Sequence, residues 1–70
     1  MKNKEIVFLV EESLDGGYEA KAAGFPIFTQ GETVEEVKKN ILDAVRCHFE
    51  DHEIPSLIYI RFLKEELITL

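Results

Sequence analysis

The chain predicts a small α+β domain with the element order β-β-β-α-β, and three observations carry that prediction. A run of β-branched and aromatic residues stands near the start, Ile6-Val7-Phe8-Leu9-Val10. A capped, amphipathic helical pattern begins after Thr33. A second apolar run, Leu57-Ile58-Tyr59-Ile60-Arg61-Phe62-Leu63, follows the helix. Runs this short and this rich in β-branched and aromatic residues favour strands over helices.

The first strand spans Glu5 to Val10. Ser13-Leu14-Asp15-Gly16-Gly17 follows, and its Asp-Gly pair supplies positive φ cheaply in a hairpin. Tyr18-Glu19-Ala20-Lys21-Ala22 alternates apolar and charged residues with period two, the mark of a half-buried strand. Gly24-Phe25-Pro26 turns the chain, and Ile27-Phe28-Thr29-Gln30 reads as a third strand closed by Gly31. Thr33 is a good N-cap, with Glu36 three residues on completing a capping box. Glu35 and Glu36 also complement the positive end of the helix dipole. Val34, Val37, Ile41, Ala44, Val45, His48 and Phe49 recur with the spacing of one helical face. The helix is expected to run from about Val34 to about Asp51, ended by Pro55, because the residue before proline avoids helical geometry. The last strand covers Leu57 to Leu63, and a tail from Lys64 to Leu70 keeps Leu67, Ile68 and Leu70 apolar.

Connection rules order these strands. Tight turns make the first three an antiparallel meander, and a right-handed crossover through the helix sets the fourth parallel to the first. The expected spatial order is 3-2-1-4, with the helix on one face. Strand one is then apolar on both faces, Ile6, Phe8 and Val10 opposing Val7 and Leu9. The last strand repeats this, with Ile58, Ile60 and Phe62 opposing Leu57, Tyr59 and Leu63. A sheet covered on one side should alternate apolar and polar, and these two strands do not. The second face therefore calls for the tail, a second subunit or a partner. Val7, Leu9, Tyr59, Leu67 and Leu70 are the candidate contact residues. The opposite choice of helix face would exchange the sheet residues among them for Ile6, Phe8 and Phe62.

Seventy residues make one domain, 1–70, with a marginal core. Cys47 is the only cysteine, which leaves no internal disulfide. Met1-Lys2-Asn3-Lys4 leads directly into a strand rather than a signal segment, so a reducing, cytoplasmic setting is expected. No apolar run reaches membrane-spanning length. Fourteen acidic against eight basic residues give a net charge of −6, which argues against direct nucleic-acid binding and suits a basic protein partner. Solubility alone is the plainer account of that charge.

The residues assemble no catalytic constellation, so no enzyme activity is expected. A two-metal nuclease needs converging carboxylates, and neither apolar strand supplies one internally. His48 and His52 share a helical spacing, but Cys47 points away from them and four converging ligands are lacking, so no metal is assigned. His48 is expected to pack, partly buried and hydrogen-bonded, and Cys47 to be a small residue at the edge of the helix face. At least one of Phe25 and Phe28 is expected in the core, and Tyr18 to lay its ring on the sheet with its hydroxyl near solvent. The glycines match no phosphate-binding loop, and no cofactor is expected.

Asp15-Gly16-Gly17-Tyr18 at the hairpin, and Thr29-Gln30-Gly31-Glu32-Thr33 leading into a helix with Glu35-Glu36, together resemble the HicB antitoxin family. The order of elements agrees over essentially the whole chain. The resemblance implies a partial RNase H-like fold that binds a small basic toxin of the HicA type and masks its RNA-cleaving site. Typical members add a C-terminal DNA-binding module, expected to be missing here, so a short form without operator binding is expected. Where the family often has Asp-Leu-Pro-Gly-Cys, this chain has Gly24-Phe25-Pro26-Ile27-Phe28. The expected function is thus an antitoxin-like protein-binding domain that forms a homo-oligomer, a dimer or tetramer. The alternative is an orphan oligomeric HicB-like domain with no toxin partner.

Overall fold

The structure is a computed structural model that describes residues 4–64 and 66–70. The leading Met1-Lys2-Asn3 and, within the tail, Glu65 lie outside the described residues. Strand β1 spans Glu5–Glu12, β2 Tyr18–Ala22 and β3 Phe28–Gly31; helix α1 spans Val34–His48, and β4 Leu57–Phe62. A single 3-10 turn, Asp51–Glu53, stands between α1 and β4. The strands form one sheet in the order β3-β2-β1-β4. β1 pairs antiparallel with β2 and parallel with β4, and β2 pairs antiparallel with β3. The α+β class and the 3-2-1-4 order read from the sequence are those observed.

The β1–β2 loop places both Gly16 (φ 92°) and Gly17 (φ 80°) in the left-handed region. It is closed by Ser13 N–H donating to Gly17 O at 2.9 Å and Gly16 N–H to Ser13 O at 3.1 Å. β3 begins one residue later than the sequence implied. Ile27 N–H donates to Phe25 O at 2.8 Å across Pro26, and this tight turn takes its N–H away from β2, although its carbonyl still accepts from Ala22 N–H at 3.0 Å and its side chain stays buried.

α1 is capped as expected: Thr33 Oγ1 accepts from Glu36 N–H at 3.0 Å. The Glu36 carboxylate reaches back to the N–H of Glu32, one residue before the cap. Asn40 Nδ2 donates to Gln30 O at 2.7 Å and ties the helix to β3. The helix stops at His48, earlier than Asp51 and well before Pro55. Phe49 takes extended geometry (φ −103°, ψ 149°), and its ring turns onto Phe25 at 5.2 Å. An aromatic contact, rather than the proline, is therefore what the chain meets at the helix end.

The core joins Ile6, Phe8 and Val10 of β1 to Val37, Ile41 and Val45 of α1, with Ala20, Ala22 and Ile27 completing it. α1 packs over β3 and β2. The small side chains Ala20 and Ala22 lie on this side of the sheet and admit the helix, while the larger ones of β1 fill the space beside it. Gly31 lets β3 come very near the helix, since a Cβ there would meet Val37 N at 2.6 Å. Complete burial of Phe8, Ile6 and Ile41 contributes about 1.5–3 kcal/mol apiece. Among the described residues no polar or charged side chain is buried.

Candidate functional site

Paired residues of neighbouring strands share a face, so the register defines the side away from the helix. β1 contributes Glu5, Val7, Leu9 and Glu11 to it, and β4 contributes Leu57, Tyr59 and Arg61. β2 and β3 add Glu19, Lys21, Phe28 and Gln30. Val7 and Leu9 are half-buried by their neighbours, whereas Leu57, Tyr59 and Phe28 are exposed at 41, 45 and 60%. No element of the described chain lies over this face. It carries an apolar band along β1 and β4 and a charged zone along β2.

Two depressions continue the band. A shallow one of about 210 Å³ is lined by Leu9, Glu11, Glu19, Lys21, Phe28 and Leu63. A wider, open one of about 1040 Å³ at the β1–β2 loop brings Glu11, Glu12, Asp15 and Glu19 beside Leu14, Leu63 and Lys64. Four carboxylates thus border one end of the apolar band. Among the described residues, no group of three or more His, Cys, Asp or Glu side chains is placed to hold a metal ion. Among the described residues the one close approach of a basic to an acidic side chain is His52 Nε2 to Glu53 Oε2 at 3.8 Å, both well exposed.

The helix does not cover its own face completely. On β4, Ile58 and Ile60 are half-buried against the core, but Phe62 is 49% exposed. β4 is an edge strand, and beyond it the chain runs on as a tail without regular structure in its described residues. Leu67, Ile68 and Leu70 are 93, 77 and 117% exposed. No helix among the described residues is long and apolar enough to cross a membrane.

Two known proteins resemble this chain over most of its length. The chain is 49% identical over 67 residues to a UPF0150 protein of Thermotoga maritima, covering 96% of this chain and 94% of that one. It is 54% identical over 52 residues to a UPF0150 protein of Archaeoglobus fulgidus, covering 74% and 77% of the two chains. The chain belongs to the UPF0150 family. No family model and no solved structure matches it. Both relatives bear that family name alone, and neither is named for HicB or for an antitoxin.

Within this UPF0150 chain, the sequence-predicted contact residues fall into two groups. Val7, Leu9 and Tyr59 lie together on the uncovered face, in adjacent strands, with Val7 and Tyr59 as register partners. Leu67 and Leu70 lie apart from them, on the outstretched tail. Several neighbouring expectations need correction. His48 is exposed, with its ring 4.8 Å from Phe49 and 6.3 Å from Phe25, and it is the last residue of the helix. Cys47, expected at the edge of the helix face, is exposed. Neither Phe25 nor Phe28 is buried. Phe28 pairs with Lys21 and therefore points to the open face, where sequence reasoning had not placed it. Its side follows from register: Lys21 stands opposite Leu9, and whatever pairs with Lys21 shares that face. Tyr18 does lie half-buried against the core.

Proposed function

We propose that this UPF0150 protein is an attachment domain of antitoxin type, which docks on a small basic RNA-cleaving toxin of the HicA kind and occludes its RNA site. The observation that carries the reading is the uncovered sheet face, whose apolar band of Val7, Leu9, Leu57 and Tyr59 ends at a border of four carboxylates. A soluble domain seldom leaves contiguous apolar surface open without a use for it. The acidic border and the net charge of −6 steer a basic partner toward that surface and set its orientation. The mechanism is steric: apolar contact supplies affinity, and the bulk of the sheet stands where RNA would enter.

The test is co-expression with a HicA-type toxin, followed by co-purification and an RNA-cleavage assay. The chain is expected to retain the toxin and suppress cleavage. Phe28→Ser and Tyr59→Ser, which alter exposed side chains, are expected to release it with the fold intact by circular dichroism. Unchanged cleavage in the presence of excess folded chain refutes the proposal. A second reading, an oligomeric UPF0150 domain without a toxin, is favoured by the exposed apolar tail.

A further inference from the structure

The tail and the free edge of β4 are two unsatisfied features of one chain, and we propose that they satisfy each other between two copies. In this arrangement residues 66–70 of one protomer lie along the outer edge of β4 of its partner, reciprocally, as an added strand.

Three observations lead there. First, the molecule is too extended for its length. Its radius of gyration is 13.7 Å, against about 11 Å for a compact domain of this size. The long axis is 52 Å against 22 and 19 Å for the other two, so a segment reaches out from an otherwise small body. Second, the accessible surface is 5886 Å², whereas a folded monomer of 8.1 kDa exposes roughly 4,500 Å². The surplus of about 1,400 Å² exceeds the roughly 800 Å² that each partner of an ordinary stable interface buries. Third, the tail is poorly suited to folding back on its own β4. Leu63 N–H still donates to Val10 O at 2.8 Å, so β1 holds the chain in line to that point. The next residues, Lys64-Glu65-Glu66, contain no glycine, asparagine, aspartate or proline to reverse it.

A second copy removes the need for that reversal. An edge strand presents unpaired N–H and C=O groups that accept another strand directly. Along the tail, Ile68 and Leu70 point to one side of such a strand and Leu67 to the other. One side meets the incompletely covered Ile58, Ile60 and Phe62, and the other meets Leu57 and Tyr59. Two exposed apolar sets of this kind flank β4, and a strand beside it covers both. The exchange is isologous, so it closes at two copies.

This inference is independent of toxin binding, and its test does not involve a toxin. The full chain and the triple variant Leu67→Ser/Ile68→Ser/Leu70→Ser are compared by native mass spectrometry and by amide hydrogen exchange at micromolar concentration. The wild type is expected to be a dimer, with the outward-facing amides of β4 protected. The variant is expected to be a monomer of unchanged circular dichroism, with those amides exposed and the remaining sheet still protected. A monomeric wild type overturns the proposal. So does a variant that stays dimeric. Protection of the outward amides that persists on dilution to a monomer also overturns it, because the tail then pairs within its own chain.

Discussion

Gly31→Ala probes the closest approach in the fold. The added Cβ would lie 2.6 Å from Val37 N, 2.9 Å from Val37 Cα and 3.0 Å from Glu36 C. All three are backbone atoms in the first turn of α1, which Thr33 and Asn40 hold in place. No side-chain rotation relieves such contacts, so β3 and α1 must separate, loosening Val37 and Ile41 against the sheet. Overpacking of a tight contact costs about 1–3 kcal/mol, and a clash wholly against backbone belongs at the upper end. In a domain of this length about 3 kcal/mol lowers Tm by roughly 12–24 °C. Gly16→Ala is the control, since its Cβ meets nothing within 4 Å and only its φ of 92° is unfavourable. That left-handed geometry costs about 1–2 kcal/mol. Both variants and the wild type are melted by circular dichroism at one fixed concentration, because association would otherwise shift Tm. A Gly31→Ala loss equal to or smaller than that of Gly16→Ala refutes the argument.

Three further outcomes follow from local geometry. Phe8→Ala empties the centre of the core and is expected to cost about 3–5 kcal/mol in urea unfolding; a loss under about 1 kcal/mol contradicts the packing described. Thr33→Ala removes the helix cap and should cost about 1 kcal/mol, while Thr33→Ser stays near wild type; equal melting of the two contradicts a capping role. Cys47 is exposed, so its thiol should react with a disulfide reagent in the folded protein as fast as in urea, and marked protection in the native state disproves that placement.

Much of this fold was legible in the residues because local signals agreed with one another. The period-two pattern of Tyr18–Ala22, the Thr33–Glu36 cap and the two apolar runs each named an element that is present. The short turns and a single crossover left few topologies to choose among. The candidate face was legible in part: alternation grouped Val7 with Leu9, and Tyr59 with Arg61, while leaving open which side the helix covers. The side of Phe28 was hidden, because it depends on pairing register with Lys21, which no single strand contains. The early end of α1 was also hidden. Sequence offered Pro55 as the stop, whereas Phe49 leaves the helix to meet Phe25, a contact between residues 24 positions apart.

The parallel ladder between β1 and β4 ties Lys4 O to the N–H groups of Ser56 at 3.0 Å and Leu57 at 3.2 Å, so the chain's opening strand is completed by nearly its last. The hairpins and helix can assemble as the ribosome extrudes them, but this seam cannot. Until Leu57–Phe62 emerges, one flank of the greasiest strand stays unzipped, and closing so distant a pair is the slow step of the fold. Pulsed hydrogen exchange during refolding should find the β1–β4 amides protected after those of the meander. A chain interrupted before that point exposes a sticky border that the finished protein conceals.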